Sequence, residues 1–266
     1  MMFAKKSLAL SAAVTTMPKA QTEYQFLKSE RYGFYYYKIA KCGSSYLQAL
    51  VKQLDGINQE KTLKAKTWDG KRAIAFVVIR NPIDRFTSLY FDKLAKPTIM
   101  SQHFLRRGLL KENSQTLEDH RNNCSQSLGW ISGTINSNVI GKMNYHWRPQ
   151  IYRLHKISKM RVHMLTLDGL YWQLPLILSS NCPEINQHMK DLNPQNVSPK
   201  FFPASQLVSN KLRQQISRTY ASDFRLYAEV NNYWEKIGEN VGCKVHKTPQ
   251  SARNWLVLDR EARKRN

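Results

Sequence analysis

The run AIAFVVI, Ala73 to Ile79, constrains the fold more than any other stretch of the chain. Alternate residues of a strand point to opposite faces, and here both faces are apolar. Such a strand must be covered on both sides, which places it inside a parallel sheet with helices packed above and below. The flanking patterns agree. Gly33 to Ile39 is aromatic-rich and strand-like, and from Ser45 to Leu54 the apolar residues Leu47, Leu50, Val51 and Leu54 fall on one helical face. Gly56 ends that helix.

After Asn81-Pro82 a second helix is predicted, with Ile83, Phe86, Tyr90 and Leu94 inward and the proline in its first turn. Arg161 to Leu167 reads as a further strand, Leu170 to Leu178 as a short helix, and Leu207 to Trp234 as helical. The polar segment 96–145 is expected to form loops and short helices over one end of the sheet. Strand–helix alternation gives an α/β class with a P-loop-like central parallel sheet flanked by helices. The 266 residues and 42% hydrophobic content suit one domain, expected at 31–245, after a weakly ordered segment 1–30 and before a basic tail 246–266.

Charge narrows the partners. There are 41 Lys and Arg against 19 Asp and Glu, a formal net charge of +22 spread along the chain, and such a field draws polyanions. Cys42, Cys124, Cys182 and Cys243 show no C-x-x-C spacing, so no zinc site is expected, and reduced thiols are the default over a Cys124–Cys182 bridge. The opening MMFAKKSLALSAAVTTMPKA imitates a signal peptide, but its apolar part is short and no small-x-small cleavage site follows. A cytoplasmic location and no membrane span are therefore expected.

Two turns carry the chemistry. The segment AKCGSSY, Ala40 to Tyr46, joins the aromatic strand to the first helix. Backbone N–H groups at a helix N-terminus attract an anion, and small residues let it approach. Lys41 supplies charge, Gly43 close approach, and Ser44 and Ser45 hydroxyls; a plain helix N-cap at Ser44 or Ser45 is the competing reading. At the second turn, a magnesium-dependent NTPase would end its central strand in a metal-binding Asp. This strand ends in Arg80, whose planar fork suits a terminal phosphate. Ser88 follows one helix turn beyond the start of the second helix. Together the turns could hold a nucleotide with phosphates at both ends.

These residues resemble a known family. AKCGSSY is similar to the P-K-x-G-T-T-W loop of sulfotransferases, with Ala40 for proline and Tyr46 for tryptophan. RNPIDRFTSLY resembles their R-x-P-x-x-x-x-x-S element. NYHWRPQ, Asn144 to Gln150, and YASDF, Tyr220 to Phe224, resemble the H-W-x-P and Tyr-x-x-Asp-aromatic segments of the Golgi carbohydrate branch, sulfotransferase family 2. That branch usually has a cysteine pair soon after H-W-x-P, which this chain lacks. The resemblance implies a donor, 3′-phosphoadenosine 5′-phosphosulfate, and a hydroxyl or amine acceptor, with no metal.

Carried onto this chain, Lys41, Gly43, Ser44 and Ser45 would hold the 5′-phosphosulfate, with Tyr46 completing the loop, and Arg80 and Ser88 the 3′-phosphate. Lys41 would also stabilise the departing phosphate. His146 is the first candidate for the general base and Glu60 the second, with His103 and His120 open and His163 read as structural. The acceptor is expected to be a carbohydrate, with a polyanionic glycan favoured by the basic surplus. The alternatives are a nucleotide kinase or NTPase, and a nucleic-acid-binding protein; the chain shows no RNP-type motif or zinc-finger spacing for the latter.

Overall fold

The computed structural model describes residues 26–57, 65–66, 73–112, 114–137, 145–155, 157, 160–192 and 204–240. Its first half runs β1 (Phe26–Lys28), β2 (Tyr35–Tyr37), α1 (Ser44–Leu54), β3 (Ala65–Lys66), β4 (Ala75–Ile79), α2 (Pro82–Lys93), α3 (Ile99–Arg106) and α4 (Leu117–Asn136). The second half runs α5 (Gln150–His155), β5 (His163–Thr166), α6 (Leu170–Leu178), α7 (Ile185–Asp191), α8 (Ala204–Leu207), α9 (Asn210–Thr219) and α10 (Ala221–Asn240).

The described strands form one sheet in the order β3-β1-β2-β4-β5. Its functional half is parallel, as AIAFVVI requires: β2 pairs with β4 and β4 with β5, in register Tyr37 to Val77 and Val77 to Met164. Every residue of β4 is at most 1% exposed. The other half is antiparallel, β1 against β2 and β3 against β1. The sheet is therefore mixed, with the expected parallel centre and an antiparallel edge added to it. A tight turn at Gly33, in the left-handed region at φ 67°, returns β1 onto β2, so strand structure precedes the boundary expected at residue 31.

The segment 96–145 departs most from expectation. It contains α4, a 20-residue helix, and α3, both opened by capping boxes at Thr116/Asp119 and Thr98/Ser101. Cys124, Leu128 and Ile131 follow helical spacing and join Phe86, Tyr90, Phe104, Trp147 and Leu212 in a second core, apart from the sheet core. Cys124 lies in this second core and Cys182 in the first; with Cys42 they are free, buried thiols. The expected helical stretch 207–234 is broken at Tyr220, which caps α9 before α10 restarts.

Candidate functional site

Three parallel strands deliver their carboxyl ends to one edge, the place where open α/β sheets bind ligands. After β2 come Lys38 to Gly43, after β4 Arg80 and Asn81, and after β5 Leu167 and Asp168. The N–H of Leu167 donates to the Ile79 carbonyl at 2.8 Å, which keeps the latter two ends in step.

The first turn is shaped by two left-handed residues. Gly43 caps α1 at φ 73°, and a Cβ there would stand 2.7 Å from Leu167 Cδ1, so glycine fits on both counts. Lys41 is left-handed too, at φ 66°, the one non-glycine residue so placed among those described. Such a conformation disfavours an L-residue by about 1–2 kcal/mol. Neither Ser44 nor Ser45 is the N-cap: both lie in the first turn, and α1 has no side-chain cap. The leading N–H groups of α1 are thereby left to an anion. Tyr46 differs. Its hydroxyl donates to the Met189 carbonyl at 3.0 Å and its ring lies 6.1 Å from Tyr171, so any nucleotide contact falls to the ring and not the hydroxyl.

The second turn meets the first. Arg80 Nη1 donates to the Lys41 carbonyl at 3.3 Å, bringing together the two sequence segments that carry the candidate anion-binding residues. Asn81 caps α2 by accepting from the Ile83 N–H at 3.0 Å, with Pro82 in the first turn as expected. Ser88 is half-buried on α2, sharing a stripe with Asp84 and Asp92 at four-residue spacing. One turn further along, Asp92 accepts a hydrogen bond from Lys41 Nζ and also pairs with Lys93 at 3.1 Å and Lys96 at 3.4 Å. Burial alone would raise Asp92, but hydrogen bonds from Lys41 and Lys93 hold its carboxyl well below the usual carboxylate range. Burial lowers Lys41, and Asp92 opposes that shift and favours the ammonium form.

His146 lies within reach of the same cations. Burial, then Lys93 and Lys41, push its imidazole down to about 4, with Asp92 opposing, so the ring is neutral near pH 7. His120 is a core residue whose Nδ1 hydrogen-bonds the Tyr90 hydroxyl at 2.6 Å. His103 packs edge-on to Trp130 at 6.4 Å on an exposed part of α3. Glu60 lies outside the described residues.

Several residues that the sequence reading gave little weight turn out to organise the site. The Arg85 side chain, 3% exposed, donates from Nε to the Ala40 carbonyl at 3.2 Å and from Nη2 to His146 and Arg148 carbonyls at 3.0 and 2.8 Å. It staples the first turn to the His146 segment. Asp223, fully buried, accepts from the N–H groups of Gln150 and Ile151 at 2.8 and 2.9 Å, and the Tyr220 hydroxyl donates to the Trp147 carbonyl at 3.0 Å. Burial raises the Asp223 carboxyl, and the Arg85 charge opposes it. The Tyr-x-x-Asp segment thus anchors the His-Trp segment, and the pairing of those two quoted motifs was the available signal.

A family model, described as the sulfotransferase family, matches residues 24–228. Comparison with curated proteins and with solved structures returned no match.

Proposed function

The chain belongs to the sulfotransferase family, and from that premise we propose that it moves a sulfonate from 3′-phosphoadenosine 5′-phosphosulfate to a hydroxyl of a carbohydrate or glycan. The observation that carries the donor half is the meeting of Arg80 with the Lys41 turn, 3.3 Å from guanidinium nitrogen to carbonyl. A nucleotide phosphorylated at both ends needs two anion sites a short distance apart, and the two turns supply them. Arg80 and Ser88 take the 3′-phosphate. Lys41, Gly43, Ser44, Ser45 and the α1 N-terminus take the 5′-phosphosulfate.

The donor supplies an activated sulfonate, whose sulfur–oxygen bond to the 5′-phosphate breaks as the acceptor oxygen bonds to sulfur. Lys41 meets the charge that develops on the departing phosphate oxygen, in a half-buried position where such contacts are strong. His146, neutral near pH 7, takes the acceptor proton. A carboxylate-held metal has no evident place at the end of β4, where the chain presents Arg80.

The glycan acceptor rests on charge: +22 spread over the chain favours a polyanionic surface partner over a small neutral phenol. The buried thiols Cys42, Cys124 and Cys182 fit a reducing compartment, consistent with a cytoplasmic enzyme. Competitive elution tests the donor half. The protein should leave a 3′,5′-bisphosphoadenosine resin with free bisphosphate nucleotide at concentrations where ATP or duplex DNA does not release it. An acceptor panel of sulfated glycans, neutral glycans and phenols then tests the class; transfer confined to phenols would overturn the carbohydrate assignment.

A further inference from the structure

One buried side chain is not absorbed by this account. Gln150 is 0% exposed at the start of α5, and its amide reaches residues far from its own helix. Its Oε1 accepts from the Arg80 N–H at 2.8 Å, its Nε2 donates to the Arg80 carbonyl at 2.8 Å, and Oε1 also accepts from Cys42 Sγ at 3.0 Å.

The geometry is that of a neighbouring strand. In a parallel ladder, one residue's N–H and carbonyl face the same neighbour, and the next residue's face the opposite one. The Ile79 carbonyl is taken by Leu167, just past β5. The Arg80 groups therefore face the β2 side. There β2 has already ended at Tyr37, paired with Val77, and the chain has turned away as the first anion loop. The Gln150 amide fills the vacated slot. Arg80 would otherwise be a frayed strand end with two half-buried backbone groups lacking these partners. Instead its backbone is fixed on both polar atoms, and the direction in which its guanidinium leaves the sheet is fixed with it.

We infer that Gln150 is a positioning residue, which aims Arg80 at the 3′-phosphate and ties that contact to the His146 segment through the Asp223 cap on α5. This rests on the reading that Arg80 binds the 3′-phosphate. The Asp223 carboxylate holds the N–H groups of Gln150 and Ile151, Arg85 holds the carbonyls of His146 and Arg148, and Gln150 holds Arg80 and Cys42. The parts that grip the donor and the part that faces the acceptor are thus one hydrogen-bonded unit.

A double-mutant cycle with two ligands tests it. Calorimetry measures 3′,5′-bisphosphoadenosine and 5′-monophosphoadenosine against wild type, Arg80→Ala, Gln150→Met and the double variant. Gln150→Met keeps length and approximate size but removes both contacts to Arg80 and the one to Cys42. It should weaken the bisphosphate by about ten-fold, the loss expected when half-buried backbone groups forfeit their partners, and leave the monophosphate within about two-fold. In the Arg80→Ala background the same substitution should add nothing for either ligand, a non-additivity that general destabilisation would not produce. Asp223→Asn, which retains one acceptor for the α5 N–H groups, should show the same selectivity more weakly and serves if Gln150→Met does not fold. If Arg80→Ala is selective for the bisphosphate but Gln150→Met weakens both ligands equally or neither, the positioning role is overturned and the Arg80 reading stands. If Arg80→Ala is itself unselective, both are overturned.

Discussion

Removing the Arg85 guanidinium should damage the protein more than removing any exposed basic residue among its 41 Lys and Arg. Arg85 is 3% exposed and donates to the carbonyls of Ala40, His146 and Arg148. Arg85→Ala strands all three acceptors, each worth about 1–3 kcal/mol when left unsatisfied in the interior. Water entering the truncated side chain's volume would satisfy part of this, which argues for the low end per group. Asp223 also loses the charge that opposes its burial. The sum is about 3–5 kcal/mol, the range found when one partner of a buried charged pair is removed. In equilibrium urea unfolding followed by circular dichroism, with a slope of about 3 kcal/mol/M, the midpoint should fall by roughly 1–2 M. Arg85→Lys keeps the charge but not the fork, and should fall about halfway. A midpoint for Arg85→Ala within about 0.3 M of wild type would refute the reasoning, because three buried charge-assisted bonds cannot vanish at that cost.

Other outcomes follow from individual residues. Lys41→Gly should be more stable than Lys41→Ala by about 1 kcal/mol, since both lose the Asp92 pair but only glycine relieves the left-handed backbone at φ 66°. Both should lose kcat far more than affinity for the desulfated nucleotide, because leaving-group charge develops only in the transition state; a wild-type kcat in either would remove Lys41 from its role. In the proposed role of base His146 works only when neutral, and its imidazole is pushed below its ordinary 6.5 to about 4. The kcat profile should therefore be flat above roughly pH 7.5 and fall on the acid side through a pKa between these values, since bound phosphates raise it from the lower limit. An acid limb centred above about pH 7.5, or one that persists in His146→Gln, would assign the proton to another group.

How much of this the sequence revealed depended on the kind of signal each part left. The β4 strand and helices α1 and α2 were readable because burial on both faces, or on one helical face, writes itself into apolar spacing. The passage from strand to helix at Gly43 and the proline-opened start of α2 were readable because glycine and proline punctuate such turns. β1 and β3 left little trace, since strands of three and two residues are too short to show an alternation. The α4 helix was hidden by a sequence rich in Asn, Ser and Gly, weak helix formers that the second core overrides; its local marks were the Thr116-to-Asp119 capping box and the spacing of Cys124, Leu128 and Ile131. The supporting residues Arg85, Gln150 and Asp223 were the least legible. Their roles consist of hydrogen bonds to backbone groups far away in sequence, and nothing in the residue type announces a long-range partner. Glu60 remains a sequence expectation, since it lies outside the described residues.

Sulfonate transfer from a 3′-phosphorylated donor without a metal is read most directly by following the label. Wild type and Lys41→Ala are incubated with donor carrying radioactive sulfur, a glycan hydroxyl acceptor and an excess of chelator, and the labelled glycan and released 3′,5′-bisphosphoadenosine are quantified together. Wild type should give equal amounts of the two products with or without the chelator, and Lys41→Ala almost none. Activity that disappears with chelator and returns with Mg²⁺, or label that leaves the donor only as free sulfate across the whole acceptor panel, would contradict it.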